Sequence, residues 1–595
     1  MISSNSLNGT CFTCFVWVHT HRKNAGFAMK THDALYNVRH SAAHLLAQAV
    51  LELFPGTLLT IGPVTEDGFF YDFLPPKNFK ESDLKKIEKM MRRLAKKNHK
   101  IEGKTVSKDE ARKLFKDNKF KLELIDEIED EEMGIFSQGD FFDLCAGGHV
   151  ESTGKVEHFQ LTAISGSYWR ADRDGQALQR IRGIAFETAE QLDDYLKRIE
   201  EAKLSDHRTL GKQLDLFTFH DEAAGSVFFH DKGTFLYNAL INFMRDKIKN
   251  DYQEVKTPMI LHEKLWKTSG HYDNYKENMY FTKVDEATHC VRPMNCPGGI
   301  LIYNEKPHSY RELPLRMAEF GLVYRHELSG VLHGLFRVRS FTQDDAHSFC
   351  TEDQIKSEIV KMLELSKATY DVFNFKNVTF AVATRPEKAM GEERLWDKAT
   401  VALKSAMDEL KIPYNVKEGE GAFYGPKIEI NIEDTMGRQW QCGTIQVDFF
   451  LPENFNLEYI DSDQKRKRPV MIHRAILGSI ERFLGILVEH YKGKFPLWLA
   501  PIQARVLTIS EKQHDYGQQI FNKLRESGLR VDFDTSDDKI SGKIKRAQLE
   551  QLPWMIVIGG KEAEAGTVTL RHRDGKQEFG LSVDELIKRN TEQQV

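Results

Sequence analysis

The sequence offers no run of the roughly 20 apolar residues that a membrane-spanning helix needs, so no membrane partner is expected. It has no excess of positive charge either: the formal balance is -5. That excludes a protein that coats nucleic acid by global attraction and leaves RNA contact to local patches. Cysteine is sparse, with seven residues, odd in number and scattered, which excludes a disulfide framework. Such usage fits a reduced compartment, here read as cytoplasmic, in which some thiols are free for metal. A glycine-rich phosphate loop ending in Lys-Ser or Lys-Thr is missing, so any nucleotide must be held by other means. No internal repeat is present.

What is there is an ordinary globular composition, 41% hydrophobic and 29% charged, in a chain of 595 residues. That length is too great for one core and favours three or four domains. Residues 1–29 differ from the rest and read as an extension or a mis-called start. Within them, Cys11-x-x-Cys14 lacks a second ligand pair nearby, which counts against a metal site.

Apolar spacing predicts a helix over 39–53, with Ala43, Leu46, Val50 and Leu53 on one face. Strand-like stretches follow, including Gly68 to Phe73, and then a Lys-rich pair of helical patterns from about 81 to 118. A helix from Gln191 to Lys203 leads into Ser205-Asp206-His207-Arg208, a linker into the next domain. From 209 to 496 helices and strands mix; Leu236, Leu240, Met244 and Ile248 mark one helix. From 497 to 595 strands and helices alternate, which predicts a small α/β domain with a largely parallel sheet.

Several side chains carry chemistry. Arg325, Glu327, Arg337 and Arg482 suit a nucleoside triphosphate, since a guanidinium fork grips phosphate and stacks on a purine. Surface ion pairs would explain the same set equally well. His40-x3-His44 puts two imidazoles one helical turn apart, and Cys145-x3-His149 lies on a glycine-containing loop. As raw spacing these four are a fair metal site.

The order of the pieces resolves the arginine set. An extended segment ends in Pro258, then comes Phe320-Gly321-x3-Arg325-x-Glu327, and last Gly478-x3-Arg482-Phe483. These resemble the three signature motifs of class II aminoacyl-tRNA synthetases. Fuller strings resemble the threonyl-tRNA synthetase family: Pro293 to Gly298, Arg316 to Gly321, Phe341 to His347, Glu420 to Lys427 and His473 to Ser479. Such strings run through nearly the whole chain from about residue 30.

The resemblance implies an α+β multidomain protein: an α+β editing domain over 30–208, an antiparallel-sheet catalytic domain over 209–496, and an α/β anticodon-binding domain over 497–595. It implies ATP-dependent attachment of L-threonine to tRNA(Thr) through an adenylate, with magnesium accompanying ATP. Cys296, His347 and His473 correspond to the family's zinc ligands; three ligands leave one coordination position open. Arg325 would hold the threonine carboxylate and α-phosphate, Glu327 would face adenine, and Arg337 and Arg482 would grip the polyphosphate and stack on the base. Gln343, Asp345, Tyr424, Gln441, Gln446 and Met294 would line the threonine site, and His271 would relay a proton during transfer to tRNA. His40, His44, Cys145 and His149 match the editing site shared with alanyl-tRNA synthetases, which in the threonyl branch works without metal on a seryl ester. Asp172 matches a further element of that domain. Glu562 and Arg571 match anticodon-reading positions, with a structural salt bridge as the competing reading. A homodimer is implied around Pro258.

Four departures stand out. The TGS-like domain that usually opens the family is missing. Gly299 stands where histidine is often found, Gly148 replaces a usual proline, and Asp534 to Lys539 lacks an arginine and an asparagine often present.

Overall fold

The computed structural model describes residues 33–172, 175–434 and 437–593; the N-terminal extension and its Cys11-x-x-Cys14 pair lie outside them. Two compact units form, one running to Glu200 and the other from Glu201 onward. Among the described residues no helix is long and apolar enough to cross a membrane.

In the first unit the helix expected over 39–53 begins earlier, at Ala34–Leu53, because Asp33 caps it, its carboxylate accepting the Tyr36 N–H at 2.6 Å. Ala43, Leu46 and Val50 are fully buried, and Leu53 sits at the edge of the core. A four-stranded antiparallel sheet runs Leu58–Leu59, Gly68–Leu74, Ala177–Phe186, His158–Tyr168 in spatial order. Its register sets Asp72 opposite Arg180, which form a buried two-point ion pair at 2.7 and 2.8 Å. The Lys-rich stretch is not a pair of helices throughout. Helix Glu81–Lys96 buries Ile87, Met91 and Leu94 as expected, but Ile101–Ser107 is a strand, and the second helix is only Lys108–Leu114. Gly103 favours this outcome: it costs a helix and lets the Phe136 ring of the neighbouring strand lie 2.5 Å from where its Cβ would be.

The second unit centres on an eight-stranded sheet in the order Gln253–Glu254, Leu315–Tyr324, Ser340–Cys350, Val470–Ala475, Gln439–Asp448, Lys427–Glu433, Val378–Ala383, Tyr414–Lys417. Only the outermost pairings are parallel; the six central strands are antiparallel. Leu236, Leu240, Met244 and Ile248 of helix Asp231–Ile248 pack into one core with helices Ile355–Val372, Glu393–Glu409 and Ile480–His490. Side chains alternate along a strand, so Gln343, Asp345 and His347 share a face, and register aligns His347 with His473 and His473 with Gln446. A row of functional side chains therefore crosses three central strands.

The C-terminal sheet runs Val531–Asp534, Ala504–Thr508, Trp554–Ile558, Val568–His572, Gln577–Leu581. It is half parallel rather than largely so: the first two pairings are parallel and the last two antiparallel. The turn from His572 to Gln577 is too short for a crossover, so the last strand returns as a hairpin.

Candidate functional site

Cys296 opens helix Cys296–Tyr303, while His347 and His473 face each other on adjacent strands. One ligand atom from each lies within 4.8 Å of the others, and all three residues are buried. His347 Nε2 has no hydrogen-bond partner, and the nearest carboxylate oxygen, on Asp345, is 3.7 Å away. Burial holds the His347 imidazole neutral, well below its usual range, with the neighbouring His473 and Arg474 adding to the effect. Burial also pushes the Cys296 thiol up, a preference that a cation at its sulfur would invert. His473 spends Nε2 on Asp448 Oδ2 at 3.1 Å, leaving Nδ1 as its other ring nitrogen. One soft sulfur, an orphaned ring nitrogen and a second histidine oriented by a carboxylate form a donor set that fits zinc.

The expected substrate residues lie around this cluster. Asp345 is raised to about 6 by burial, an effect opposed by His473 and by the Asn295 amide donating to its Oδ2 at 3.3 Å. Tyr424 packs 5.7 Å from His473 ring to ring, and Gln446 Nε2 donates to the Gly425 carbonyl at 3.0 Å. Gln343 pairs with Ser479 in an isolated bridge. His271 is buried, with Nδ1 2.8 Å from Ser269 Oγ and Nε2 2.9 Å from Met294 Sδ. Burial first, then His473 and Arg325, hold its pKa at about 3, so the ring is neutral at pH 7.

The arginines are set on backbone carbonyls. Arg325 Nε donates to Pro293 O at 3.2 Å; Arg482 donates to Phe336 O at 2.9 Å and to Gln441 O at 3.0 Å. Arg337 pairs with Glu327 at 2.9 Å. Arg482 is pulled below its usual range by burial and by Arg337 and Arg325 nearby. Guanidiniums that close relieve their repulsion by taking an anion.

Three residues that hold this site escaped sequence reasoning. Asp344 accepts the N–H groups of Ile476 and Gly478, fixing the loop before Arg482. Arg292 ties Thr257 to Glu319 inside the protein, and Asp448 orients His473. An acidic or basic residue within or just after a strand gives no local signal of such a role.

In the first unit, His40 and His44 are one turn apart with ring centroids at 5.1 Å, and His149 stacks on His40 at 4.3 Å. Cys145 Sγ lies 3.2 Å from His149 Nε2 and 3.6 Å from His40 Nε2. Burial pushes the Cys145 thiol up to about 12 and keeps His44 and His149 neutral. Gly147 and Gly148 both have positive φ, 108° and 85°, which proline could not adopt at 148. The loop is nonetheless anchored: Cys145 N donates to Gly134 O, and Val150 N to Ser41 Oγ. Behind Cys145 lies a buried triad also missed from sequence. Asp143 accepts from Tyr71 OH and from Lys121 Nζ, both at 2.5 Å, and Lys121 reaches Tyr71 OH at 3.2 Å.

In the C-terminal part, Glu562 accepts from Gly559 N at 3.0 Å and Thr569 Oγ1 at 2.9 Å, capping helix Gly560–Ala565. The Arg571 Nε is buried and has no hydrogen-bond partner. Segment 534–539, which lacks its own arginine, is held by Arg546 of the following helix through Asp534, Ser536 and Asp538.

Comparison with known proteins agrees with this arrangement. The class II core domain of tRNA synthetases (G, H, P, S and T) matches residues 280–491, an anticodon binding domain 503–593, and the threonyl and alanyl tRNA synthetase second additional domain 134–182. The chain is 52% identical to threonine–tRNA ligase of Acetivibrio thermocellus over 558 residues, covering 93% of this chain and 88% of that protein. It is 50% identical to the Carboxydothermus hydrogenoformans enzyme, covering 92% and 88%. A crystal structure of the RNA binding domain of threonyl-tRNA synthetase from Cryptosporidium parvum superposes with a TM-score of 0.62 at 45% identity, covering 65% of this chain and 98% of that one. Prolyl-tRNA synthetase from the same organism shares the fold at 16% identity, with a TM-score of 0.52 over 65% of this chain and 74% of that one. The chain therefore belongs to the threonyl-tRNA synthetases, ligases with a class II catalytic core, an editing domain and an anticodon-binding domain.

Proposed function

We propose that this chain activates L-threonine with ATP as threonyl-adenylate, transfers it to tRNA(Thr), and hydrolyses seryl-tRNA(Thr) in its first unit. The orphaned Nε2 of His347, buried beside Cys296 and His473, carries this reading. A zinc ion there, held by Cys296, His347 and His473, supplies open coordination for an amino group and a β-hydroxyl together. Asp345, steadied by Asn295, accepts from the hydroxyl, while Gln343, Tyr424, Gln446 and Met294 bound the side chain. Arg325 holds the carboxylate and α-phosphate; Arg337 and Arg482 hold the polyphosphate, with magnesium; Glu327 faces adenine. Adenylate formation is then mainly positioning and charge neutralisation. His271, neutral at pH 7, relays a proton as tRNA attacks, and Gln441 lines the site.

Valine lacks one of the two required donors, but serine has both and is only a methyl smaller, worth about 1 kcal/mol. Selection by those donors thus needs a second sieve. His40, His44, Cys145 and His149 supply it by positioning water against the seryl ester, without metal. Glu562 and Arg571 contribute to anticodon reading, and the working form is a cytoplasmic homodimer. We place the domain limits at 30–208, 209–496 and 497–595, although the compact units divide at Glu200 and Glu201, a few residues earlier.

The test is amino-acid-dependent ATP–pyrophosphate exchange with threonine, serine and valine, with and without chelator. Threonine should be activated best, serine detectably and valine negligibly, with activity lost on stripping metal. Strong valine activation would overturn the site assignment.

A further inference from the structure

Asp206, His207 and Glu489 lie close enough to suggest a metal site, but the ring of His207 has no nitrogen to spare. The Leu335 backbone N–H donates to His207 Nε2 at 3.0 Å, so Nε2 must hold a lone pair. The proton is therefore on Nδ1, which donates to Glu489 Oε1 at 2.8 Å, as the His207 backbone N–H does at 3.1 Å. The ring is fully buried and its tautomer is fixed by two partners that cannot exchange roles.

Those partners belong to the nucleotide side of the site. Leu335 sits in the turn Gly334–Phe336, immediately before Arg337. The next carbonyl, of Phe336, accepts from Arg482 Nε at 2.9 Å, and Glu489 lies two turns along the helix that carries Arg482. His207 also packs on the Phe336 ring at 4.2 Å. Gly334 permits the approach: it has φ +49°, and a Cβ there would fall 2.2 Å from His207 Nε2. The turn is thus clamped at consecutive residues, by His207 at one N–H and by Arg482 at one carbonyl.

We propose that His207 is a positioning residue for ATP: by locking the 334–336 turn to the Arg482 helix it sets both Arg337 and the carbonyl that aims Arg482. This rests on the reading that Arg337 and Arg482 grip the nucleotide. Asparagine and glutamine separate the two ring nitrogens. In His207→Asn the amide reaches only the Nδ1 position and Glu489; in His207→Gln it reaches the Nε2 position and can accept from Leu335.

The experiment measures ATP–pyrophosphate exchange for the wild type and both variants, varying ATP and threonine separately, with thermal unfolding of each. H207N should raise KM for ATP about fivefold or more, the effect of one lost hydrogen bond, with KM for threonine within about twofold. H207Q should recover most of that loss. Wild-type ATP dependence in H207N, a matching rise in KM for threonine, or equal loss in both variants would overturn the proposal. Should H207N not fold, Glu489→Ala frees the ring from its anchor and must raise KM for ATP selectively; an unchanged KM overturns the proposal again. A wild-type enzyme with no threonine-dependent exchange would overturn the parent reading and the proposal with it, whereas normal wild-type exchange with an unselective H207N overturns the proposal alone.

Discussion

Asp448 accepts from His473 Nε2 at 3.1 Å, and its other oxygen, Oδ1, accepts the Phe450 and Leu451 N–H groups at 2.6 and 3.0 Å. The helix that begins at Phe450 therefore fixes the carboxylate, and the carboxylate fixes the tautomer of His473. In Asp448→Asn the amide oxygen must stay on the two N–H groups, so the amide nitrogen faces His473. That turns Nε2 into an acceptor and moves the ring proton to Nδ1, the nitrogen needed for metal. Zinc affinity should fall by about 10–100-fold with the fold retained. Competition with a chelator of known affinity reads this directly, and unaltered affinity would remove the role of Asp448.

The triad behind Cys145 predicts a different kind of loss. Lys121 and Asp143 are both buried, so Lys121→Met strands a carboxylate that keeps only the neutral donors Tyr71 OH and Leu144 N–H. Breaking such a pair from one side costs about 3–5 kcal/mol. Denaturant unfolding of K121M should show that loss, and seryl-tRNA should accumulate, as it should in His44→Ala or Cys145→Ala, which touch the cluster without emptying a buried ion pair. Wild-type stability in K121M would mean that the pair is not closed in solution.

Much of this architecture was legible in the chain because its signals are local. The 3.6-residue spacing of Leu236, Leu240, Met244 and Ile248 marks a buried helix stripe, and His40-x3-His44 sets its two imidazoles one turn apart once the segment is helical. Gly103 within a lysine-rich stretch was a local signal too, outweighed by the helical spacing around it. What stayed hidden depends on register. His347 meets His473 only because strands Ser340–Cys350 and Val470–Ala475 pair as they do, and family resemblance, not spacing, brought those residues together beforehand. Asp344, Asp448, Arg292 and the Tyr71–Lys121–Asp143 triad act across sequence separations from that of Lys121 to Asp143 upward, where no periodicity reaches.

Gly321 gives a steric test of the threonine side. A Cβ there would lie 2.1 Å from Asn295 Oδ1, and Asn295 is the donor to Asp345. Gly321→Ala should push Asn295 off Asp345 and raise KM for threonine by about fivefold, the value of one hydrogen bond, while KM for ATP moves less. Steady-state exchange with each substrate varied separates the two, and equal changes in both would argue for general distortion of the sheet.

Glu481, beside Arg482, gives a pH test. Burial raises its carboxyl to about 7, against the N–H of Thr342 and the hydroxyl of Ser479, which favour the ionised form. A folded-state value above the unfolded one, near 4.5, means that the folded protein binds this proton more tightly. The resulting stability is complete below about 4.5 and is lost as pH rises through about 7. Glu481→Gln has no proton to lose, so the wild type should gain stability over the variant on going from about pH 8 to about pH 5.5. Urea unfolding of both proteins at the two pH values measures the difference. A gap between them that stays constant would show that Glu481 is already ionised throughout this range, held by Thr342 and Ser479 despite its burial.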